Sequence, residues 1–196
     1  MEYGPAVIYN VSSRTAQDIS PEIVEYLAKN PNFAGMKECG GHDRIKQYAD
    51  QGILCWSGND DECHDSKWKY GGHGVISVTS NVLPGVMRRL MDTQDDELAA
   101  KVLPFMNWLF AEPNPIGLNT ISAMTGAAQP VFRAPYMPYD LDKREEAIEL
   151  LSGFKDFEIQ GARRPIAMDD GDFKVLADWA RGVCKVKEDY DGKRKF

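Results

Sequence analysis

The chain has 196 residues, of which 43% are hydrophobic and 27% are charged, and its net charge is −7. These values are typical of a globular domain with an appendage, and the acidic balance argues against nucleic acid as a partner. The sequence contains no stretch of the roughly 20 apolar residues that cross a bilayer, so we expect no membrane partner. We also expect no secretory signal or transit segment in the sequence as given.

The first 92 residues repeat a strand followed by a helix four times. The predicted strands are 6–10, 32–37, 52–56 and 75–79, and the predicted helices are 20–28, 43–50, one that ends at 69, and 83–91. Repeated units of this length form a parallel sheet through right-handed crossovers. Because a TIM (β/α)8 barrel contains eight such units, the sequence predicts an α/β fold that is half of a barrel.

The pattern beyond Asp92 is mainly helical. The predicted helices are 95–110, broken or kinked near Pro104, then 115–124, 141–151 and 170–181, with an extended segment over 133–138. We therefore divide the chain into a half-barrel over 1–92, a C-terminal helical region over 93–184 and a flexible tail over 185–196.

The four cysteines are read as free thiols in a reducing compartment. Cys39, Cys55, Cys63 and Cys184 show no close pairing in the sequence. Cys63 is followed by a histidine and an aspartate, but adjacent residues on one helix point in different directions. Since no spacing typical of metal ligands occurs, we predict no metal site.

Polar side chains follow the ends of the first three strands. Tyr9 ends the first strand, Lys37 ends the second, the polar segment 57–60 follows the third, and Arg14 lies just after Tyr9. An amine, a phenol and a guanidinium at one edge of a parallel sheet suit a carbonyl site, in which a lysine forms a Schiff base. The residues alone also fit a solvated lysine, a solvated arginine and a core tyrosine. Glu38 is expected to point away from Lys37.

Three segments at these positions resemble one family of enzymes. Residues 8–15, 35–38 and 74–81 stand in the order and rough spacing found in the dihydrodipicolinate synthase family, part of the pyruvate-dependent class I aldolase superfamily. Residues 56–68 and 108–116 resemble its plant and algal branch. The resemblance implies that the four units are the last four of the family barrel, which makes them the C-terminal half.

The resemblance also implies a role for four residues. Lys37 matches the lysine that forms an imine with pyruvate, and Tyr9 matches the tyrosine that relays protons. Arg14 matches the arginine that receives the carboxylate of aspartate semialdehyde, and the main-chain carbonyl of Ile76 matches one that faces pyruvate. The implied enzyme is a lyase of lysine biosynthesis through diaminopimelate, which needs no cofactor beyond the imine.

The implied assembly and location follow from the same resemblance. The family forms homotetramers, so the expected partners are further copies of the chain or a missing N-terminal half. The plant branch works in plastids. Because the first four units of the family are absent, we expect little activity from the chain alone. Two alternatives stay open, namely a related lyase of the N-acetylneuraminate lyase type and a non-catalytic fragment that acts through assembly.

Overall fold

The computed structural model of the protein describes residues 4–176, which form two compact units. Unit 1 consists of residues 4–78 and 87–101, and unit 2 consists of residues 79–86 and 102–176. The predicted division at residue 92 stays a prediction. The predicted tail over 185–196 lies outside the described residues.

A parallel sheet of four strands forms the centre of unit 1. The strands, in spatial order, are β1 (Ala6–Asn10), β2 (Phe33–Glu38), β3 (Cys55–Ser57) and β4 (Gly74–Val75). The helices of the chain are α1 (Ser12–Thr15), α2 (Pro21–Leu27), α3 (His42–Asp50), α4 (Cys63–Trp68), α5 (Pro84–Asp92), α6 (Asp96–Leu109), α7 (Ile116–Met124) and α8 (Leu141–Ser152). In the part of the chain that the structure describes, no helix has the length and apolarity to cross a bilayer.

One face of the sheet is packed and the other is open. Val24 of α2 and Ile45 of α3 are buried against Met36 and Cys55 of the sheet. Because successive strand residues point to opposite faces, Tyr9 lies on the other face, where 47% of its surface is exposed. The predicted alternation of strands and helices is confirmed, and Lys37, the partner of Tyr9 in the register of the sheet, lies on the same open face.

Three predicted boundaries in unit 1 are wrong. The strand predicted over 52–56 is the three-residue β3 over Cys55–Ser57. The predicted loop over 11–15 contains the one-turn helix α1, and the predicted strand over 75–79 is only the two-residue β4, followed by a 3-10 helix over Thr79–Asn81. Side-chain bonding explains the short strand. The carboxylate of Asp60 accepts a hydrogen bond from the Val78 N–H at 3.0 Å, which competes with continued strand pairing.

Unit 2 contains α7, α8 and a second sheet that the sequence did not predict. The predicted helix over 170–181 is wrong in its described part, because Asp170–Asp172 is a 3-10 turn and Lys174–Leu176 forms β6. This strand pairs in parallel with β5 (Val131–Arg133). The remainder of that predicted helix lies outside the described residues. Helix α6, which spans both units, continues through Pro104 without a break.

Candidate active site

Tyr9 and Lys37 face each other at the ends of two neighbouring strands. They are partners in the parallel register of β1 and β2. The Lys37 Nζ lies 4.2 Å from the centroid of the Tyr9 ring, within the range of a cation–π contact. The structure therefore brings together the amine and the phenol that the sequence analysis singled out.

The stem of Lys37 passes directly over Gly58, a residue that the sequence analysis did not select. A Cβ atom at Gly58 would lie 2.8 Å from Cε and 3.3 Å from Cγ of Lys37, and it would also meet the Cys39 sulfur. Any side chain at this position would displace the lysine. The main chain of Gly58, in the loop after β3, thus lies against the Lys37 stem.

Cys39 is a third side chain at the site that the sequence analysis missed. It stands two residues after Lys37, its N–H donates to the Asn10 carbonyl at 3.1 Å, and its side chain is half-buried. The Tyr9 phenol and the Cys39 thiol are close enough that each shifts the pKa of the other, through charge and hydrogen bonding. The spacing of two residues, which places side chains on the same face of a strand, is the signal that would have identified it.

The surroundings keep both of these groups protonated near neutral pH. Burial raises the pKa of the Tyr9 phenol; the charge of Cys39 and the shared hydrogen bond raise it further, while the Arg14 guanidinium lowers it. Burial likewise raises the pKa of the Cys39 thiol, against the lowering effects of the Tyr9 hydrogen bond and the Lys37 charge. Tyr9 is therefore a proton donor in its resting form.

The other two predicted residues lie at the rim of the site. Arg14 is exposed on α1, and it is close enough to Tyr9 and Cys39 to lower the pKa of both. Ile76 follows β4, donates its N–H to the Ser57 carbonyl at 2.9 Å and exposes 44% of its surface. The role of its own carbonyl stays a prediction.

Glu38 lies behind the site rather than in it. Its side chain is fully buried, whereas its neighbour Lys37 is on the open face. This confirms the expected direction of Glu38. Among residues 4–176, no group of three or more histidine, cysteine, aspartate or glutamate side chains is arranged to hold a metal ion.

Comparisons with known proteins agree on one family. The model of the Dihydrodipicolinate synthetase family matches residues 1–153. The 4-hydroxy-tetrahydrodipicolinate synthase 2, chloroplastic, of Triticum aestivum is 54% identical over 175 residues, which are 89% of this chain and 46% of that protein. The chloroplastic synthase 1 of Arabidopsis thaliana is 52% identical over 90% of this chain and 48% of its own length.

Solved structures give the same result. A chloride-inhibited dihydrodipicolinate synthase from Acinetobacter baumannii, complexed with pyruvate, is 29% identical with a TM-score of 0.67. The match covers 76% of this chain and 54% of that one. The chain spans about half the length of the curated relatives that it matches, and its fold is part of the barrel of these synthases. The chain belongs to the dihydrodipicolinate synthetase family.

Proposed function

We propose that this chain carries the imine-forming part of a 4-hydroxy-tetrahydrodipicolinate synthase, a lyase that condenses pyruvate with aspartate semialdehyde in lysine biosynthesis. The observation that carries this proposal is the pairing of Lys37 with Tyr9, whose ring centroid is 4.2 Å from the amine. The names of the plant relatives support the same reaction.

Lys37 supplies the nucleophile of the proposed reaction. Its unprotonated Nζ attacks C2 of pyruvate, and loss of water from the resulting carbinolamine gives a cationic imine. That cation acidifies the pyruvate methyl group, and removal of a methyl proton gives an enamine. The enamine carbon then attacks the aldehyde carbon of the semialdehyde, which forms the new carbon–carbon bond, regenerates the imine and leaves an alkoxide that takes up a proton. The amino group of the semialdehyde then attacks the imine carbon, which closes the ring and releases the Lys37 amine.

Tyr9 moves protons during these steps. Because its phenol is protonated near neutral pH, it donates a proton to the departing hydroxyl of the carbinolamine, so that water can leave. The resulting phenolate is stabilised by the nearby cations of Lys37 and Arg14 and then accepts a proton in return. A phenol near a cationic imine suits both directions of transfer.

Arg14 and Ile76 bind the substrates in this proposal. The Arg14 guanidinium is exposed at the rim and can hold the semialdehyde carboxylate through two parallel hydrogen bonds. The main-chain carbonyl of Ile76 faces pyruvate. No cofactor takes part, because the imine on Lys37 activates pyruvate by itself.

Assembly and location complete the proposal. Four parallel strands leave two open edges in the described sheet, and open edges favour further pairing. We propose that the site is completed in an oligomer of this chain, of which the tetramer is the expected form, or by an N-terminal half-barrel. The chloroplastic names of the plant relatives support a location in the plastid.

Exchange of the pyruvate methyl protons tests the chemistry. Formation of the enamine on Lys37 exchanges these protons with deuterium from D2O, which proton NMR detects as loss of the methyl signal. We expect slow exchange with the wild-type chain, less with Tyr9→Phe and none above background with Lys37→Ala. The matched control is Lys46→Ala, which removes an exposed lysine that pairs with Asp50.

The outcome separates the candidate functions. Exchange followed by condensation with aspartate semialdehyde supports the synthase, whereas condensation only with other aldehydes supports a related lyase. A folded wild-type chain that exchanges no protons, alone or in its oligomer, contradicts the proposal. That result would favour a non-catalytic role through assembly.

A further inference from the structure

The segment between β1 and α2 carries Arg14 and has a compact local structure. Its first part is the single turn of α1, and Ala16 follows in the left-handed region at φ 54°. The Thr15 hydroxyl donates to the Gln17 carbonyl at 2.8 Å. The segment therefore turns sharply after Arg14 and returns toward the end of β1.

The side chain of Asn10 closes this segment at its base. Its Nδ2 donates to the Asp18 carboxylate at 2.8 Å, and its Oδ1 accepts the Ile19 N–H at 3.2 Å. Asn10 is only 2% exposed. One amide thus joins the last residue of β1 to the far end of the segment, with Arg14 between the two ends.

Glu38 fixes the orientation of that amide. Both of its carboxylate oxygens accept from Asn10 Nδ2, at 3.0 and 3.2 Å, and Oε1 also accepts the Gly40 N–H at 2.6 Å. With Nδ2 held by carboxylates, Oδ1 must face the Ile19 N–H. The buried carboxylate therefore selects the one amide orientation that closes the segment.

Arg44 of α3 secures the same end from the other side. Its Nη1 donates to the Ile19 carbonyl at 3.0 Å, and its Nη2 forms an ion pair with Asp18. The end of the segment is held by four contacts, two from Asn10 and two from Arg44, whereas Arg14 itself is exposed at the apex. The position of the Arg14 side chain thus depends on how the base is closed.

We propose that Asn10, oriented by Glu38, is a positioning residue that holds Arg14 beside Tyr9. What Arg14 binds rests on the proposed function, but its placement beside the phenol does not. The hydrogen bonds at the base restrict the segment to one conformation, so that Arg14 is held at its apex before substrate arrives. Preorganisation of this kind lowers the entropic cost of binding.

Tyr9 provides a reporter for the position of Arg14. The Arg14 guanidinium lowers the pKa of the Tyr9 phenol, so moving this cation away raises that pKa. Asn10→Ala changes no charge, which makes it a suitable perturbation. The other side chain that shifts the pKa of Tyr9, the Cys39 thiol, stays in place on the residue that follows β2.

The experiment titrates Tyr9 in the full chain by NMR with 13Cζ-labelled tyrosine, assigned with Tyr9→Phe. We expect Arg14→Gln and Asn10→Ala each to raise the pKa of Tyr9, and the double variant to raise it no further than Arg14→Gln alone. The matched control is Asn119→Ala, an exposed asparagine of α7 in the other unit.

A second variant keeps the test decisive if Asn10→Ala fails to fold. Asp18→Ala removes the acceptor at the end of the segment, and this side chain is 44% exposed, so folding is less at risk. The change removes a negative charge, but Asp18 is not among the groups that shift the pKa of Tyr9, so release of the segment is expected to raise that pKa in the same way. If neither variant moves the titration while Arg14→Gln does, the proposal is overturned. It is also overturned if Arg14→Gln has no effect, because Arg14 then does not stand beside Tyr9.

Kinetics give an independent readout. In Asn10→Ala, the KM for aspartate semialdehyde is expected to rise by about tenfold, the effect of weakening one charge-assisted hydrogen bond. Exchange of the pyruvate methyl protons is expected to fall much less than tenfold, since Lys37 and Tyr9 are retained and only the stabilisation of the Tyr9 phenolate by Arg14 is weakened. A general loss of structure would lower the exchange rate to a similar extent as it weakens binding of the semialdehyde. If the wild-type chain exchanges no protons, the proposed function fails, and the Tyr9 titration still decides the role of Asn10.

Discussion

Substitution of Gly58 by alanine tests the close contact between the β3 loop and the reacting lysine. The added Cβ would lie 2.8 Å from Lys37 Cε, whereas an ordinary contact between carbon atoms is about 3.5 to 4.0 Å. The lysine stem must therefore move by about 1 Å, and the Cys39 sulfur, which the added Cβ would approach even more closely, must move as well. Gly58 is not among the residues with positive φ, so alanine meets no backbone strain there.

The two expected effects of Gly58→Ala differ in size. Displacement of a reacting atom by about 1 Å costs up to about 100-fold in rate, so we expect imine formation to slow by about 10- to 100-fold. Stability should change by less than about 1.5 kcal/mol, because the end of a flexible side chain can give way. The substitution is thus expected to affect the chemistry much more than the fold.

Single-turnover trapping measures the rate of imine formation. Pyruvate is mixed with the chain, borohydride is added at increasing times, and the adduct is quantified by intact mass, while urea denaturation gives the free energy of unfolding. Gly171→Ala is the matched control, since its Cβ meets no atom within 4 Å. A wild-type rate for Gly58→Ala would refute the reasoning that its main chain sets the position of Lys37.

Three further predictions concern other parts of the chain. Burial raises the pKa of Glu38 above its ordinary 4.5. The free energy of unfolding should therefore fall as the pH rises from about 4.5 to the raised pKa. Glu38→Gln should make this fall smaller, as measured by urea denaturation at a series of pH values. Arg144 is buried and donates a hydrogen bond to the Tyr139 carbonyl at 2.8 Å. Arg144→Leu should lower the free energy of unfolding by about 1 to 3 kcal/mol, measured by the same method. Cys39→Ala should lower the pKa of Tyr9 in NMR titration, because the thiol now raises it.

Each of these predictions has a surface or distant control. Glu97→Gln, which alters an exposed carboxylate, is the control for Glu38→Gln. Arg88→Leu, which alters an exposed arginine, is the control for Arg144→Leu and should lower the free energy of unfolding by less than about 0.5 kcal/mol. Cys63→Ala removes a buried thiol at the start of α4 and should leave the titration of Tyr9 unchanged. The first prediction is contradicted if Glu38→Gln leaves the pH dependence of the unfolding free energy unchanged. The second is contradicted if Arg144→Leu destabilises the chain no more than Arg88→Leu does, and the third if Cys39→Ala leaves the pKa of Tyr9 unchanged.

The sequence predicts the architecture of unit 1 because its signals are local. The strand Ala6–Asn10 is an apolar run, and α2 starts with Pro21 after a serine, as expected. Strand ends of a parallel sheet meet at one edge, which is sufficient to bring Tyr9 and Lys37 together. The part of the site that follows directly from strand order was therefore predictable.

The missed features depend on contacts between distant residues. Strand β6 pairs with β5, about 40 residues earlier, and the spacing of apolar residues near 174 does not reveal that partner. The role of Gly58 depends on the path of a loop over Lys37, which no pattern within the loop specifies. Asn10 reads as a polar strand end, and its closure of the Arg14 segment becomes visible only with the positions of Asp18 and Glu38.

Borohydride trapping of pyruvate tests the central claim most directly, namely that Lys37 beside Tyr9 is an imine-forming lysine. The chain is incubated with pyruvate and borohydride, and the adduct is located by intact mass and peptide mapping. The account predicts one adduct, on Lys37, that is absent from Lys37→Ala and retained in Lys46→Ala. A folded chain that gives no adduct, or an adduct spread over exposed lysines, would contradict it.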